Sequence, residues 1–452
     1  MRRLGRALIV VVLGLGGLLL GASTAFADHQ TAAERLPTTT PVKHFIFLMQ
    51  ENHSFDNYFG TYPGADGIPD GTCMPDDPAD PSAGCVRPYH IGDKPITDLG
   101  HTARVFDGQL NAGANDGFVS AFTAEGDRTD QAMGYYDGRD IPYYWNVADN
   151  YVLFDRFFTS ARGGSVWNHM YWIAGVPGST ADSIPPEGLP DTPTIFDRLE
   201  EAGVSWTFYV QNYDPTITYK TYVENEDSGR NAQVVWAPLL ALPRYVDDPE
   251  LFSHIAPLDQ YYDDLANGTL PAVSYIVPSG ASEHPPGSIQ AGERFVRTLH
   301  TALMRSSAWS SSAFLWAYDD WGGWYDHVVP PQVDEHGYGY RTPALLVSPY
   351  AKTGVVDSTP LDFTSGLAFI EQNWGVAPLA QRDAQAQTFL SAFDFDQEPR
   401  EPQLVPDTRA QVAPLTSPTS TIYASYALAP AVALVVAAVG GLESWRRRRG
   451  PR

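Results

Sequence analysis

Glu51 and Asn52 stand where an apolar run ends. Val42–Gln50 (VKHFIFLMQ) reads as a buried strand, and Glu51-Asn52-His53-Ser54-Phe55-Asp56-Asn57-Tyr58-Phe59-Gly60 follows it. A carboxylate and a carboxamide side by side pack badly at a strand end. At the carboxyl edge of an α/β sheet, where such folds bind ligands, the same pair can present oxygen ligands to a metal. The plainer reading is a polar strand end followed by an aromatic-capped turn. A second acidic pair, Asp319-Asp320, closes another apolar run and leads into Trp321-Gly322-Gly323-Trp324-Tyr325-Asp326-His327. Adjacent carboxylates repel, so such pairs sit in solvent or on a cation.

In Gly163-Gly164-Ser165-Val166-Trp167-Asn168-His169 two glycines precede a serine, and an amphipathic stretch follows. That spacing puts Ser165 at a helix N-terminus, where backbone amides and the dipole favour anions and a lowered alkoxide pKa. A plain N-cap serine is the commoner use of such a position. His101 follows Leu99-Gly100, with Asn111 and Asn115-Asp116-Gly117-Phe118 behind it. His284 lies in Ser282-Glu283-His284-Pro285-Pro286, between a strand and a helix, and His327 closes the second acidic segment. His29, His254, His300 and His336 read as surface or capping residues. A metal, a serine nucleophile and histidines together form a kit for phosphoryl or sulfuryl transfer. The metal neutralises non-bridging oxygens and lowers the hydroxyl pKa, and the histidines donate to the oxygens and protonate the leaving group.

The elements that must position these residues are strand-like runs at Val42–Gln50, Val204–Gln211, Ala272–Val277, Ala313–Tyr318 and Ala344–Ser348, with helices between them. One helix is predicted over Thr194–Ala202, with Thr192 as its N-cap and Gly203 past its end, and another over Ser288–Arg305. This alternation predicts an α/β sandwich around a mainly parallel sheet. Residues 61–100 and 212–260 read as loop-rich insertions. Cys73 and Cys85 are the only cysteines, and outside the cytoplasm they are expected to form a disulfide closing the first insertion.

The two ends read differently from the roughly 370 residues between them, which suffice for one large α/β domain or two small ones. Residues 1–27 read as a signal peptide: Arg2, Arg3 and Arg6, an apolar run from Ala7 to Ala22, and the cleavage site Ala25-Phe26-Ala27. Residues 28–399 form the body and 400–423, rich in Pro, Thr and Ser, a stalk. Residues 424–442 are nineteen uncharged residues, long enough to anchor the chain in a membrane. The basic tail, 443–452, puts the C-terminus in the cytoplasm and the body outside it. Setting aside the eight arginines and one glutamate outside residues 28–423 takes the formal charge from −24 to −31. Nucleic-acid binding needs a basic footprint, so it is excluded. Nothing in the residues sets an oligomeric state.

The ordered set ENHSFDNYFG, NDGF, MGYYDGRDIPYYWNVADNYVLFDRFF, GGSVWNHMYWIAG, SEHPP, YDDWGGWYDHVVPP, RTPALLVSPYAKTGVV and the late FDF resembles the bacterial acid phosphatase and phospholipase C phosphoesterases, relatives of the alkaline phosphatase superfamily. The resemblance runs from about Val42 to Phe395. It implies an alkaline-phosphatase-like α/β sandwich with a mainly parallel central sheet flanked by helices. It implies metal ligands at Glu51, Asn52, Asp319 and Asp320 for one or more divalent metal ions, a nucleophile at Ser165, and active-site histidines at His101, His284 and His327. The implied reaction is attack by Ser165 on a phosphate ester or phospholipid, giving a phosphoseryl enzyme that water then releases. The chain departs from the family at Trp321, at Asp362-Phe363-Thr364-Ser365 where a histidine is frequent, and in lacking a proline before Ser165. These departures bear on substrate preference and pH optimum.

Phosphomonoester and phospholipid substrates both stay open. Tyr143, Tyr144, Trp145, Trp321 and Trp324 could line a wall for lipid or choline, or lie in the core. The competing class is a non-enzymatic, surface-anchored binding protein on a degenerate esterase fold. A sulfatase would need a C/S-x-P-x-R context, which Ser165 lacks.

Overall fold

Strands whose two faces are both apolar need a layer on each side. The computed structural model describes residues 31, 33–80, 82–123, 130–179, 181–223 and 232–409, and it gathers eight strands into one sheet. They are β1 (His44–Gln50), β2 (Val152–Phe154), β3 (Trp206–Val210), β4 (Ile255–Pro257), β5 (Val273–Val277), β6 (Ser312–Tyr318), β7 (Ala344–Val347) and β8 (Val355–Asp357). The order across the sheet is β8-β2-β7-β6-β1-β5-β3-β4. β7 pairs antiparallel with β6 and with β2; the other pairings are parallel. The mainly parallel sandwich is the predicted one, with β7 reversed inside it. β6 and β7 are joined without a crossover helix, as an antiparallel neighbour allows and a parallel one does not.

The central strands β1 and β6 are buried along their whole length. Alternate side chains serve opposite layers. Phe47 meets Trp172 edge-on at 5.5 Å, and Phe45 packs on Phe369 at 5.0 Å. These two partners come from α4 (Ser165–Ala174) and α7 (Phe363–Trp374). On the opposite layer Phe314 meets His300 at 4.4 Å and Trp316 meets Tyr144 at 5.6 Å. Those partners come from α6 (Ile289–Met304) and α3 (Pro142–Asn150). His300 is therefore a core residue and not the surface or capping residue predicted. The remaining helices named here are α1 (Phe55–Phe59), α2 (Ala103–Leu110) and α5 (Ile195–Ala202).

Helix ends follow their local chemistry. α6 starts at Ser288, the predicted first residue, which serves as its cap: its Oγ accepts the N–H of Ala291. α5 is capped by Thr194, not by Thr192 as expected. Asp197, three residues on, reaches back to the N–H of Thr194 at 2.7 Å, and that capping box fixes the start. Gly203, at φ 65°, ends the helix in the left-handed region.

The insertion at 61–100 is loop-rich, and Cys73 and Cys85 are disulfide-bonded within it. The insertion at 212–260 is less irregular than expected, since Ile255–Pro257 adds β4 to the sheet edge. Residues 400–409, expected to begin a stalk, lie along the body. Arg400 Nη2 donates to the carbonyl of Ala351 at 2.8 Å, and Asn146 Nδ2 donates to that of Pro406 at 2.9 Å. The predicted signal peptide, the rest of the stalk, the anchor at 424–442 and the basic tail lie outside the described residues. Among the described residues no helix is long and apolar enough to cross a membrane.

Candidate active site

Strand register brings the two acidic pairs together. β1 and β6 run in parallel with Gln50 opposite Tyr318, and the N–H of Asp319 donates to the carbonyl of Gln50 at 3.0 Å. Glu51-Asn52 and Asp319-Asp320 therefore leave the sheet side by side. Asn52 sits at φ 58°, a left-handed conformation that asparagine tolerates. Its N–H donates to Asp319 Oδ1 at 3.2 Å and its Nδ2 to Asp320 Oδ1 at 2.8 Å. Asp320 Oδ1 also accepts the N–H of Gly322 at 2.7 Å. Gly322 has φ 61°, and a Cβ there would stand 2.2 Å from the carbonyl oxygen of Asn52, so only glycine closes this turn.

Ser165 is the first residue of α4, one place past a Gly164 cap that has no side chain to offer. Asp182 supplies the missing acceptor, taking the N–H of Gly164 and, at 2.9 Å, that of Trp167. The hydroxyl of Ser165 makes a long contact of 3.4 Å with Asp320 Oδ2, and His101 Nε2 lies 3.9 Å from the same oxygen. The other ring nitrogen of His101 is 2.8 Å from the carbonyl of Leu99, which fixes it as the N–H donor. Burial works against a charged His101. The carboxylates of Asp320 and Asp98 outweigh it and push the imidazole up to about 9. His284 stands beside it, with ring centres 5.7 Å apart and its Nδ1 2.8 Å from the carbonyl of Pro285.

Several buried polar atoms here meet no hydrogen-bond partner: both oxygens of Glu51, Asn52 Oδ1, Asp319 Oδ2 and His169 Nε2. Orphans of this kind are costly in a folded interior unless an ion or water answers them. Burial, then the neighbouring Asp319 and Asp320, holds the Glu51 carboxyl well above the usual range. Ligand atoms of Glu51, His169 and Asp319 all lie within 4.8 Å of one another. A mostly oxygen donor set of this charge and burial fits a divalent cation. The site predictions did not include His169. Its signal was its spacing, four residues after Ser165 and so on the same helix face.

The structure brings Glu51, Asn52, Asp319, Asp320, Ser165, His101 and His284 to one edge of the sheet. His327 does not join them. Its Nδ1 is 2.7 Å from Asp56 Oδ2 and its Nε2 is 3.2 Å from Asp66 Oδ1, so both nitrogens are taken. The same knot holds fully buried Arg341, whose Nε donates to Asp326 Oδ1 at 2.9 Å and whose Nη2 donates to Asp56 Oδ1 at 3.1 Å. His327 thus braces the loop after β6 and is not placed to protonate a leaving group. Tyr143, Tyr144, Trp145, Trp321 and Trp324 are all buried in the core and form no open wall. Trp321 Nε1 donates to Gln109 Oε1 at 2.7 Å, so the buried indole has its partner.

The Phosphoesterase family profile matches residues 42–377. Phospholipase C B of Mycobacterium tuberculosis is 29% identical over 425 residues, covering 80% of this chain and 79% of that protein. Phospholipase C A of the same organism is 30% identical over 423 residues, covering 80% and 78%. Hemolytic phospholipase C of Pseudomonas aeruginosa is 29% identical over 433 residues, covering 82% of this chain and 58% of the longer relative. Among solved structures, an alkaline phosphatase superfamily protein from Vibrio parahaemolyticus aligns over 75% of this chain and 68% of that one, at 12% identity and a TM-score of 0.35, too distant to carry an argument.

Proposed function

Since the chain belongs to the phosphoesterase family and is a hydrolase acting on phosphoric ester bonds, we propose that it is a metal-dependent phosphodiesterase of the phospholipase C type with Ser165 as its nucleophile. The observation that carries this is the contact of Ser165 with Asp320 beside four buried residues whose ligand atoms have no partners. Glu51, Asn52, Asp319 and Asp320 would hold the cation. When bound, a divalent cation neutralises phosphoryl oxygens and lowers the pKa of a nearby hydroxyl.

The chain's own residues do the rest. Ser165 Oγ attacks phosphorus in line with the ester oxygen and loses its proton to solvent, its hydroxyl aimed by Asp320 Oδ2 3.4 Å away. The P–O bond to the alcohol breaks as a phosphoserine forms. His101 donates from Nε2 to the departing oxygen, with His284 next to it. Water then attacks the phosphoserine and releases the phosphorylated head group. The N–H groups of Ser165 and Val166, which Asp182 leaves alone, receive a phosphoryl oxygen at the positive end of α4.

A second reading, phosphomonoesterase, is favoured by the burial of all five aromatic residues that could have lined a lipid wall. Hydrolysis of p-nitrophenyl phosphorylcholine and p-nitrophenyl phosphate by the purified protein, with and without chelator, separates the two. Preference for the diester supports the phospholipase C reading and preference for the monoester supports the other. Failure on both with metal restored moves weight to a binding protein. The proposal includes an extracytoplasmic location, tethered through residues 424–442. The signal-like N-terminus, the arginine-rich tail and the Cys73–Cys85 disulfide, a bond that persists in oxidising compartments, support it.

A further inference from the structure

We propose that His169 is a nitrogen ligand of the cation site, and that the site therefore selects a transition-metal dication such as Fe2+, Co2+ or Zn2+ over Ca2+ or Mg2+. The inference rests on the metal-dependent reading above and adds the class of ion.

The ring is held by one nitrogen and idle at the other. His169 Nδ1 lies 2.9 Å from the carbonyl oxygen of Ser165, an acceptor only, so Nδ1 carries the hydrogen and Nε2 presents its lone pair. Nε2 is fully buried, makes no hydrogen bond, and stands 3.5 Å from Glu51 Oε1. Two lone pairs facing each other away from water repel unless a proton or a cation lies between them. A shared proton would answer one oxygen of Glu51. It would leave Asn52 Oδ1 and Asp319 Oδ2 unanswered, whereas a cation answers both. The 3.5 Å separation is within the span of about 4.4 Å that two donors can have when each binds one ion at about 2.2 Å.

The donor set decides the ion. Carboxylates and a carboxamide alone suit Ca2+ and Mg2+, whereas an imidazole favours iron, zinc and their neighbours in the first transition row. The position also joins metal to nucleophile. Ser165 and His169 are one turn apart on α4 and hydrogen-bonded to each other, so an ion on His169 orders the turn that carries Ser165.

The test uses the full chain stripped of metal, titrated calorimetrically with CoCl2, ZnCl2, CaCl2 and MgCl2, with X-ray absorption of the Co2+ and Zn2+ forms. We expect Co2+ and Zn2+ to bind at least about tenfold tighter than Ca2+ and Mg2+, with an imidazole shell in the absorption spectrum. His169→Ala should weaken Co2+ by about 10- to 100-fold, change Ca2+ little and abolish the imidazole signal. His169→Gln, which keeps a donor for the Ser165 carbonyl, should lose Co2+ affinity in the same way and guards against a folding artefact. An oxygen-only shell in the wild type, or both variants binding Co2+ within about twofold of it, would overturn the assignment while the metal-dependent reading stands. Binding of none of the four ions by the wild type would overturn both.

Discussion

Asp182 caps the helix that Ser165 begins. Its carboxylate takes the N–H groups of Gly164 and Trp167, the second at 2.9 Å. Gly164 has no side chain to cap with, and a Cβ there would lie 2.8 Å from Asp182 Oδ2, so a side chain at 164 would displace that carboxylate. The nucleophile is thus set from the loop that follows its own helix. Asp182→Ala should cost about 1 kcal/mol of stability, as lost caps do, and about tenfold in kcat through misplacement of Ser165. Denaturant unfolding and steady-state kinetics on one preparation check both; an unchanged kcat would confine Asp182 to stability.

Ser165→Ala should abolish turnover and leave the fold and cation binding as they were. Turnover within a few-fold of wild type, with matching circular dichroism, would remove Ser165 from the nucleophile role.

Asp320→Asn should lose metal and activity together, because Asp320 Oδ1 anchors Asn52 and Gly322 while Oδ2 faces Ser165 and His101. Elemental analysis of the purified variant beside its specific activity gives the answer. Full metal content would move the ion elsewhere in the site.

Glu283 makes a pH prediction away from the cation. It accepts from the hydroxyls of Tyr58, Tyr144 and, at 3.0 Å, Tyr318. Burial pushes its carboxyl up to about 8 from 4.5, against the pull of those three hydroxyls. Between these two values the folded chain holds a proton that the unfolded chain has released. This group's contribution to stability is full below 4.5, falls as pH rises, and is gone above about 8. Glu283→Gln cannot titrate, so its Tm should decline less steeply than wild type across that window. Parallel Tm curves would show that Glu283 does not titrate there.

Arg341→Ala should destabilise the fold by about 3–5 kcal/mol, since it leaves Asp56 and Asp326 buried without their counter-charge. His327→Gln should cost less stability and leave kcat within a few-fold of wild type. A large fall in kcat at unchanged stability would return His327 to the active site.

The sequence alone carried the chemistry and much of the scaffold. Five apolar runs gave the longer strands, because a strand buried on both faces must be apolar along its length. Glycines, polar residues at strand ends and a serine after Gly-Gly marked the turns where reactive groups sit. Three strands of the main sheet escaped: Val152–Phe154, Ile255–Pro257 and Val355–Asp357 are three residues each, too short for a pattern, and exist because longer neighbours offer them an edge. The reversed sense of β7 was equally hidden, since an apolar run reads the same in either direction.

The site itself came from tertiary structure. Glu51 and Asp319 are 268 residues apart in sequence, and only the parallel register of Gln50 with Tyr318 sets them side by side. His327 follows the acidic pair closely in sequence, yet the chain turns it towards Asp56 and Asp66. His169 reads in sequence as part of an amphipathic stretch, and packing of α4 against the sheet turns its ring to Glu51. Residue type fixes what a side chain can do. Pairing, register and packing are non-local, and they decide which side chains meet.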